Sequence, residues 1–273
     1  MNNDKKELIL KEYKFIELLE INATKNVYIK IGSNKRIIEL VIDNCNIKSI
    51  PDSIDNLEFL IYIEISEEKL KKIPNTIGNL KHLKRLSIYK SNIIIIPDFI
   101  EFLQTLELLC IAGSSIEYFP NLLCNLKNLE TLDLSTNELT KISDYIGDMT
   151  SLKTLFLQEN QINSIPSSIS ELINLKNIDL HNNNIVSMPE SIGNLHNLQY
   201  LHLNENDLAT LPESMKNLNY LITLDISNNK FTEIPKVLSE MNLSFLDLSG
   251  NSISDFPKKI GSLKHQGKGV YTI

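Results

Sequence analysis

No stretch of the sequence approaches the roughly 18 consecutive apolar residues that a membrane-spanning helix needs. The longest purely aliphatic run is Ile93–Ile96. The start, MNNDKKELIL, lacks the apolar region followed by small side chains that marks a signal peptide. That favours a cytoplasmic setting, although a chain without its native leader reads the same way and secretion stays open. Cysteine is scarce: Cys45, Cys110 and Cys124 form neither an even framework nor a Cys-x-x-Cys zinc pattern, which points to free, reduced thiols. Basic residues are outnumbered, with 27 Lys and Arg against 34 Asp and Glu and a net charge of −7. Phosphate binding needs a concentrated basic surface, so a general nucleic-acid binder is excluded.

Catalytic motifs are missing too. There is no His-Glu-x-x-His, no Gly-x-Ser-x-Gly and no Gly-x-Gly-x-x-Gly. Gly261 and Gly267–Lys268 imitate a phosphate loop, but five residues separate the glycines where four are needed, and Gly269 follows the lysine. No enzyme and no cofactor are implied. Asn22 and Asn242 open glycosylation sequons of a kind that arises often by chance.

What is present is one pattern, many times over. Steps of 23 residues link Ile37, Leu60, Leu83, Leu106, Leu129, Leu152, Leu175, Leu198 and Leu221, and Leu243 follows one residue early. These open ten repeats, and positions 1, 4, 6, 11, 14, 18 and 21 are apolar in every copy. All nine prolines fall on position 15, where only Ser143 differs. A period of this size means stacked supersecondary units, none able to bury its apolar face alone. LQYLHL alternates as a short strand does, NENDLATLP turns out of it, and PESMKNL suits one or two helical turns after a proline that presets φ. Identical repeats side by side put their strands in one parallel sheet.

The pattern L-x-x-L-x-L-x-x-N-x-L, seen as LETLDLSTNEL, LKTLFLQENQI and LQYLHLNENDL, resembles the leucine-rich repeat family. The full form with LP and IGNL is similar to small bacterial repeat proteins and to the intracellular Ras-regulating class. The resemblance implies an α/β fold: a solenoid horseshoe with a parallel sheet on its concave face and short helical or 3-10 returns on its convex face. It also implies a protein partner on the concave face and, for bacterial members, a host-interaction or virulence-associated role. Neither the partner nor the oligomeric state is named by it. Residues 1–36 are expected to form an N-terminal capping helix and strand, 37–265 the ten repeats, and 266–273 a C-terminal tail ending in a short strand. The cap reads as an amphipathic helix: Asp4 and Glu7 form a helix-start signature, and Asp4, Glu7, Lys11 and Lys14 oppose Leu8, Phe15 and Leu19.

The family's asparagine satisfies backbone groups of its own and the adjacent turn as a structural ladder, here Asn137, Asn160, Asn183, Asn206, Asn229 and Asn251. Repeats one to four carry Cys45, Glu68, Ser91 and Ser114 instead, which predicts irregular early repeats because an ionised Glu68 has no donor.

Side chains at positions 3, 5, 7 and 8 are free of core duty. Among them Tyr62, Tyr89, Leu108, Cys110 and Phe156 form an apolar zone, and Asp133, Asp179, Asp225 and Asp247 an acidic one. The candidate protein-binding residues are Tyr62, Arg85, Tyr89, Leu108, Phe156, Asp179, His181, Tyr200, His202 and Asp225. Contiguous exposed aromatics suggest a partner site, although β-propensity alone favours aromatics on strands. A rival reading is a ligand- or metal-dependent receptor using the His/Asp cluster of repeats seven to nine. In that cluster His202 is flanked by Asp179 and Asp225 with His181 diagonal, and the same four side chains are expected either to pair the ring with the carboxylates or, instead, to hold a metal.

Overall fold

The computed structural model describes residues 10–17 and 26–273. The chain divides into two compact units, Met1–Leu129 and Glu130–Ile273. In the first unit, residues 10–17 are helical, with Phe15 and Ile16 buried and Lys11 and Lys14 exposed. The helix-start residues Asp4 and Glu7, and Leu8 and Leu19 of the apolar stripe, lie outside the described residues. Strand β1 (Val27–Ile31) runs antiparallel to β2 (Ile37–Asp43). The strands β3 (Tyr62–Ser66), β4 (Arg85–Tyr89) and β5 (Leu108–Ala112) then add in parallel, in register and one repeat apart.

The second unit continues the scheme with shorter strands: β6 (Thr131–Asp133), β7 (Thr154–Phe156), β8 (Asn177–Asp179), β9 (Tyr200–His202), β10 (Thr223–Asp225) and β11 (Phe245–Asp247). Each pairs in parallel with its neighbour in that unit. Parallel strands need a crossover, and here it is a turn, an extended segment and a five-residue 3-10 helix, as at Glu190–Asn194.

Two periodicities explain this form. Along the strand, positions 4 and 6 face inward while 3, 5 and 7 face out. Of the seven apolar positions in ten repeats, all are buried except the half-buried Ile234 and Phe256. Each buried leucine or isoleucine contributes about 1.5–3 kcal/mol relative to exposure, and no repeat achieves that burial without its neighbours.

The prolines act at the entrance of the returns. Eight of them precede a 3-10 helix with φ between −56° and −76°, where a fixed φ costs nothing and no N–H is wanted. Ser143 stands in the same place with φ −61° and accepts a hydrogen bond from the Tyr145 N–H at 3.1 Å, so a side-chain cap replaces the ring constraint. Glycine in the return serves close stacking: a Cβ on Gly193 would lie 2.3 Å from the Ser214 carbonyl oxygen of the next repeat.

The tenth repeat departs from the expected helical return. Lys259–Ile260 (β12), Leu263–Gly267 (β13) and Val270–Thr272 (β14) form an antiparallel meander instead, and β14 pairs antiparallel with β11. The boundary drawn at 265 therefore falls inside β13. The physical reason lies in the edge: β14 occupies the N–H and C=O groups of β11 that a further parallel strand would otherwise take. Tyr271 is fully buried there, and its hydroxyl donates to the Pro257 carbonyl at 2.9 Å.

Candidate binding faces on the strands

The turn that ends each strand sets what the strand face can present. In the second unit the asparagine amides bridge successive turns. Asn160 donates from Nδ2 to the carbonyls of Leu134 (3.0 Å) and Leu157 (3.1 Å), and its Oδ1 accepts from the Leu139 N–H at 2.9 Å. Asn183, Asn206 and Asn229 repeat this scheme, each Oδ1 accepting at 2.9 Å from the turn before. Asn251 accepts from Phe231 N at 3.1 Å, and Asn137 donates to Leu134 and Ser135. Position 8, just before the ladder residue, takes a positive φ in nine repeats, Glu159 at 55° being typical. It serves the turn as well as facing outward.

Repeat two is the exception, and the expectation for Glu68 is corrected here. Glu68 is exposed, and its neighbour Glu67, 2% exposed, turns inward to accept from the Cys45 N–H. Backbone N–H groups of Asn46 and Ile47 also face the Glu67 carboxylate, yet burial outweighs them and raises its pKa above the usual carboxylate value. Two adjacent glutamates gave the sequence no means of showing which one enters. In repeats three and four, Ser91 and Ser114 join by their hydroxyls at 2.7 Å.

On the strand face of the first unit, Tyr62, Arg85 and Leu108 form one cross-strand row, and Tyr89 aligns with Ser66 and Ala112 in another. Tyr62, Tyr89 and Leu108 are half-buried and Arg85 is exposed. The Tyr62 hydroxyl donates to Glu64, and burial together with that carboxylate raises its pKa. Burial pushes the Tyr89 hydroxyl up to about 12, against an opposing hydrogen bond with Ser87. Cys110 does not line the surface as expected: it is 2% exposed, level with the similarly buried Ser87 of the adjacent strand and close to the larger Tyr89.

In the second unit, register sets Phe156 between Asp133 and Asp179, and His202 between Asp179 and Asp225. The His202 pairing inferred from register does not form. Asp179 Oδ1 accepts from the backbone N–H of His181 at 3.1 Å and lies 2.8 Å from His181 Nδ1. Asp225 accepts from Ser227 N and Oγ, as Asp133 does from Ser135, and Asp247 from Ser249 N. A short carboxylate at position 5 reaches the N–H two residues on along its own chain, which outcompetes a cross-strand ring. Glu159 approaches His181 Nε2 at 3.9 Å, and Tyr200 is exposed beside this row. Among the described residues, no three His, Cys, Asp or Glu side chains converge as a metal ion requires.

One polar feature escaped the sequence altogether. Arg36, just before repeat one, is buried against Glu12 and lies 4.5 Å over the Phe59 ring, which stacks on His82. Its only signal in the sequence was an arginine adjoining an apolar repeat start.

Strand, turn and 3-10 return at 23-residue intervals, with inward leucines and bridging turn asparagines, define a solenoid of the leucine-rich kind. The chain belongs to the leucine-rich repeat family. A leucine-rich repeat region matches residues 6–144, and leucine-rich repeat models match 150–208, 220–241 and 242–263. Similar solved structures include an LRR protein of Leptospira interrogans, with 27% identity, a TM-score of 0.69, and coverage of 79% of this chain and 61% of that one. The ectodomain of the Arabidopsis thaliana receptor kinase GASSHO1/SCHENGEN3, solved with Casparian strip integrity factor 2, matches at 26% identity and a TM-score of 0.68, over 84% of this chain and 32% of that one. The plant peptide hormone receptor RGFR1, in complex with RGF2, matches at 31% identity and a TM-score of 0.65, over 74% and 34%. The chain thus spans 61% of the bacterial protein and about a third of each plant receptor. No curated protein matches it in sequence. Proteins of this family and fold are typically non-enzymatic binding scaffolds. No helix among the described residues is long and apolar enough to cross a membrane.

Proposed function

We propose that the protein is a binding module without catalytic activity and that it takes a protein partner on its strand face. The observation that carries this is the group Tyr62, Tyr89 and Leu108 with Arg85, on three adjacent strands of the first unit. None of the four occupies a core position, and aromatic side chains with arginine are the composition of interface hot spots. On the second unit, Phe156, His181, Tyr200 and His202 stand among aspartates, a face suited to a basic, amphipathic segment. The plant relatives solved with their ligands support this reading. A host-interaction role, as the bacterial resemblance implies, would make the partner a host protein.

The test is affinity capture with the wild-type protein and with Tyr89→Ser and Leu108→Ala, each checked by thermal melting. The expected result is a partner that the wild type retains and both folded variants lose. A partner held equally well by both variants overturns the reading.

A further inference from the structure

The hairpin of β13 and β14 turns through three residues of positive φ: Gly267 at 106°, Lys268 at 52° and Gly269 at 87°. A lysine in that region is uncommon, and the hairpin register shifts between His265 and Gly267. A side chain holds this turn. The buried Gly269 N–H donates to His265 Nε2 at 3.2 Å. The Gly269 carbonyl accepts from the N–H of Leu248, just beyond β11, at 3.0 Å, and a Cβ on Gly269 would lie 2.9 Å from Ser249 N. Gly269 therefore ties the histidine ring to the strand that the hairpin closes, where β14 pairs with β11 over only three residues.

Two aromatic rings and a backbone bond fix the imidazole. Phe256 stacks on it with centroids 5.6 Å apart and Tyr271 at 4.9 Å, and the His265 backbone N–H donates to the Lys258 carbonyl at 3.0 Å. To accept from Gly269, Nε2 must keep its lone pair, so the ring is neutral with its proton on Nδ1. Protonation removes the lone pair and sets a ring N–H against the Gly269 N–H, which is left buried without an acceptor. The half-buried ring is within reach of solvent protons. The neighbouring elements offer an imidazolium little compensation. Tyr271 stands on β14, Asp255 and Lys258 precede β12, Lys259 lies in β12, Lys264 adjoins the histidine, Lys268 is in the turn and Asp247 is on β11. Lysines outnumber carboxylates in this set, and Asp247 already accepts from the Ser249 N–H at 2.8 Å. Among the described residues, the histidine–carboxylate ion-pair contacts belong to His181 alone.

We propose that His265 is a proton-sensitive latch on the C-terminal hairpin: its neutral ring holds the Gly267–Gly269 turn so that β14 stays on β11, and its protonated ring releases both. The repeats stay folded, and the row of N–H and C=O groups along β11 becomes free to pair with another strand.

The test is amide hydrogen exchange read by NMR at about pH 7.5 and about pH 5.5, corrected for intrinsic exchange. A freely solvated histidine titrates near about pH 6.5, so a ring that must lose its proton to close the latch raises the open fraction about tenfold between those values. Protection at Gly269 and Leu248 should fall by up to that factor, while the Leu134 and Leu157 amides, bonded within the parallel strands, should keep theirs. His265→Gln supplies an acceptor that does not titrate, and its protection should be equal at the two pH values. His265→Phe keeps a stacking ring without an acceptor, and its turn should be weakly protected at both. Unchanged wild-type protection overturns the latch and needs no variant. Protection that rises in acid overturns it too, since the charged ring would then gain more from Phe256 and Tyr271 than it loses at Gly269. An equal fall in His265→Gln assigns the titration to another group, and imidazole nitrogen shifts that place the neutral ring's proton on Nε2 remove the acceptor; each overturns the proposal.

Discussion

Glu12 accepts a hydrogen bond from Arg36 Nε at 2.8 Å, and both side chains are only 4% exposed. Among the described residues, the buried Arg36 Nη2 has no hydrogen-bond partner, so they compensate the arginine's burial incompletely. Burial is the largest influence on Glu12 and raises its pKa, although Arg36 opposes the rise. Arg36→Leu strands a buried carboxylate and should cost about 3–5 kcal/mol near neutral pH. The sign follows from the raised value: the Glu12 contribution is fully present below its unfolded pKa and declines as pH climbs through the folded one. The Arg36→Leu deficit should accordingly shrink in acid, and Glu12→Leu/Arg36→Leu should recover most of it. Urea unfolding at several pH values measures this; a deficit independent of pH counts against the buried pairing.

Glu67 is a simpler case: burial raises its pKa, and the groups that oppose the rise are the backbone N–H groups of Cys45, Ile47 and Asn46. Its carboxyl stabilises the fold most when neutral, at pH below the usual carboxylate value, and that contribution is lost as pH rises through the raised pKa. Glu67→Gln keeps an acceptor and removes the charge. The variant's stability relative to wild type should therefore rise with pH and level off above the folded pKa. A flat difference across that window would show that Glu67 titrates as an exposed residue.

The ladder amides bind backbone groups on two successive turns. Asn160→Ala or Asn206→Ala leaves those groups buried and unpaired and should cost about 1–3 kcal/mol each. Ser91 offers one hydroxyl, joined to Ser114, so Ser91→Ala should cost less. Thermal melts in which Ser91→Ala equals or exceeds Asn160→Ala would contradict this ordering.

Leu155 and Phe156 are adjacent on β7 and face opposite ways: Leu155 is fully buried and Phe156 half-buried. Leu155→Ala should destabilise by about 2–5 kcal/mol through lost burial and the cavity left behind. Phe156→Ala should change stability little and lower affinity for a strand-face partner. Chemical denaturation of the two variants is sufficient, and comparable losses would show that Phe156 is a core residue.

Much of the architecture was written in spacing. Inward leucines at fixed intervals, and a proline at one position, specify strand, turn and return wherever they recur, because burial of that face depends on local periodicity and a stacked neighbour. Where periodicity was silent, the reading went astray. Glu67 and Glu68 are equivalent to any rule of spacing, and only the turn's N–H groups select Glu67. Register alone put His202 between two aspartates, but each aspartate is drawn to the N–H two residues along its own strand.

The sequence by itself determined the repeat, its inward face, the turn asparagines and the outward aromatics, since each depends on a residue's position within 23. Only the tertiary structure decided which polar groups meet: Glu12 with Arg36, Glu67 with the Cys45 turn, Asp179 with His181, and the hairpin that closes the last parallel strand. Apolar burial is non-directional and tolerates any neighbour of suitable size, so pattern suffices to foresee it. Hydrogen bonds and buried charges are directional within a fraction of an ångström, and their partners are chosen by the folded backbone.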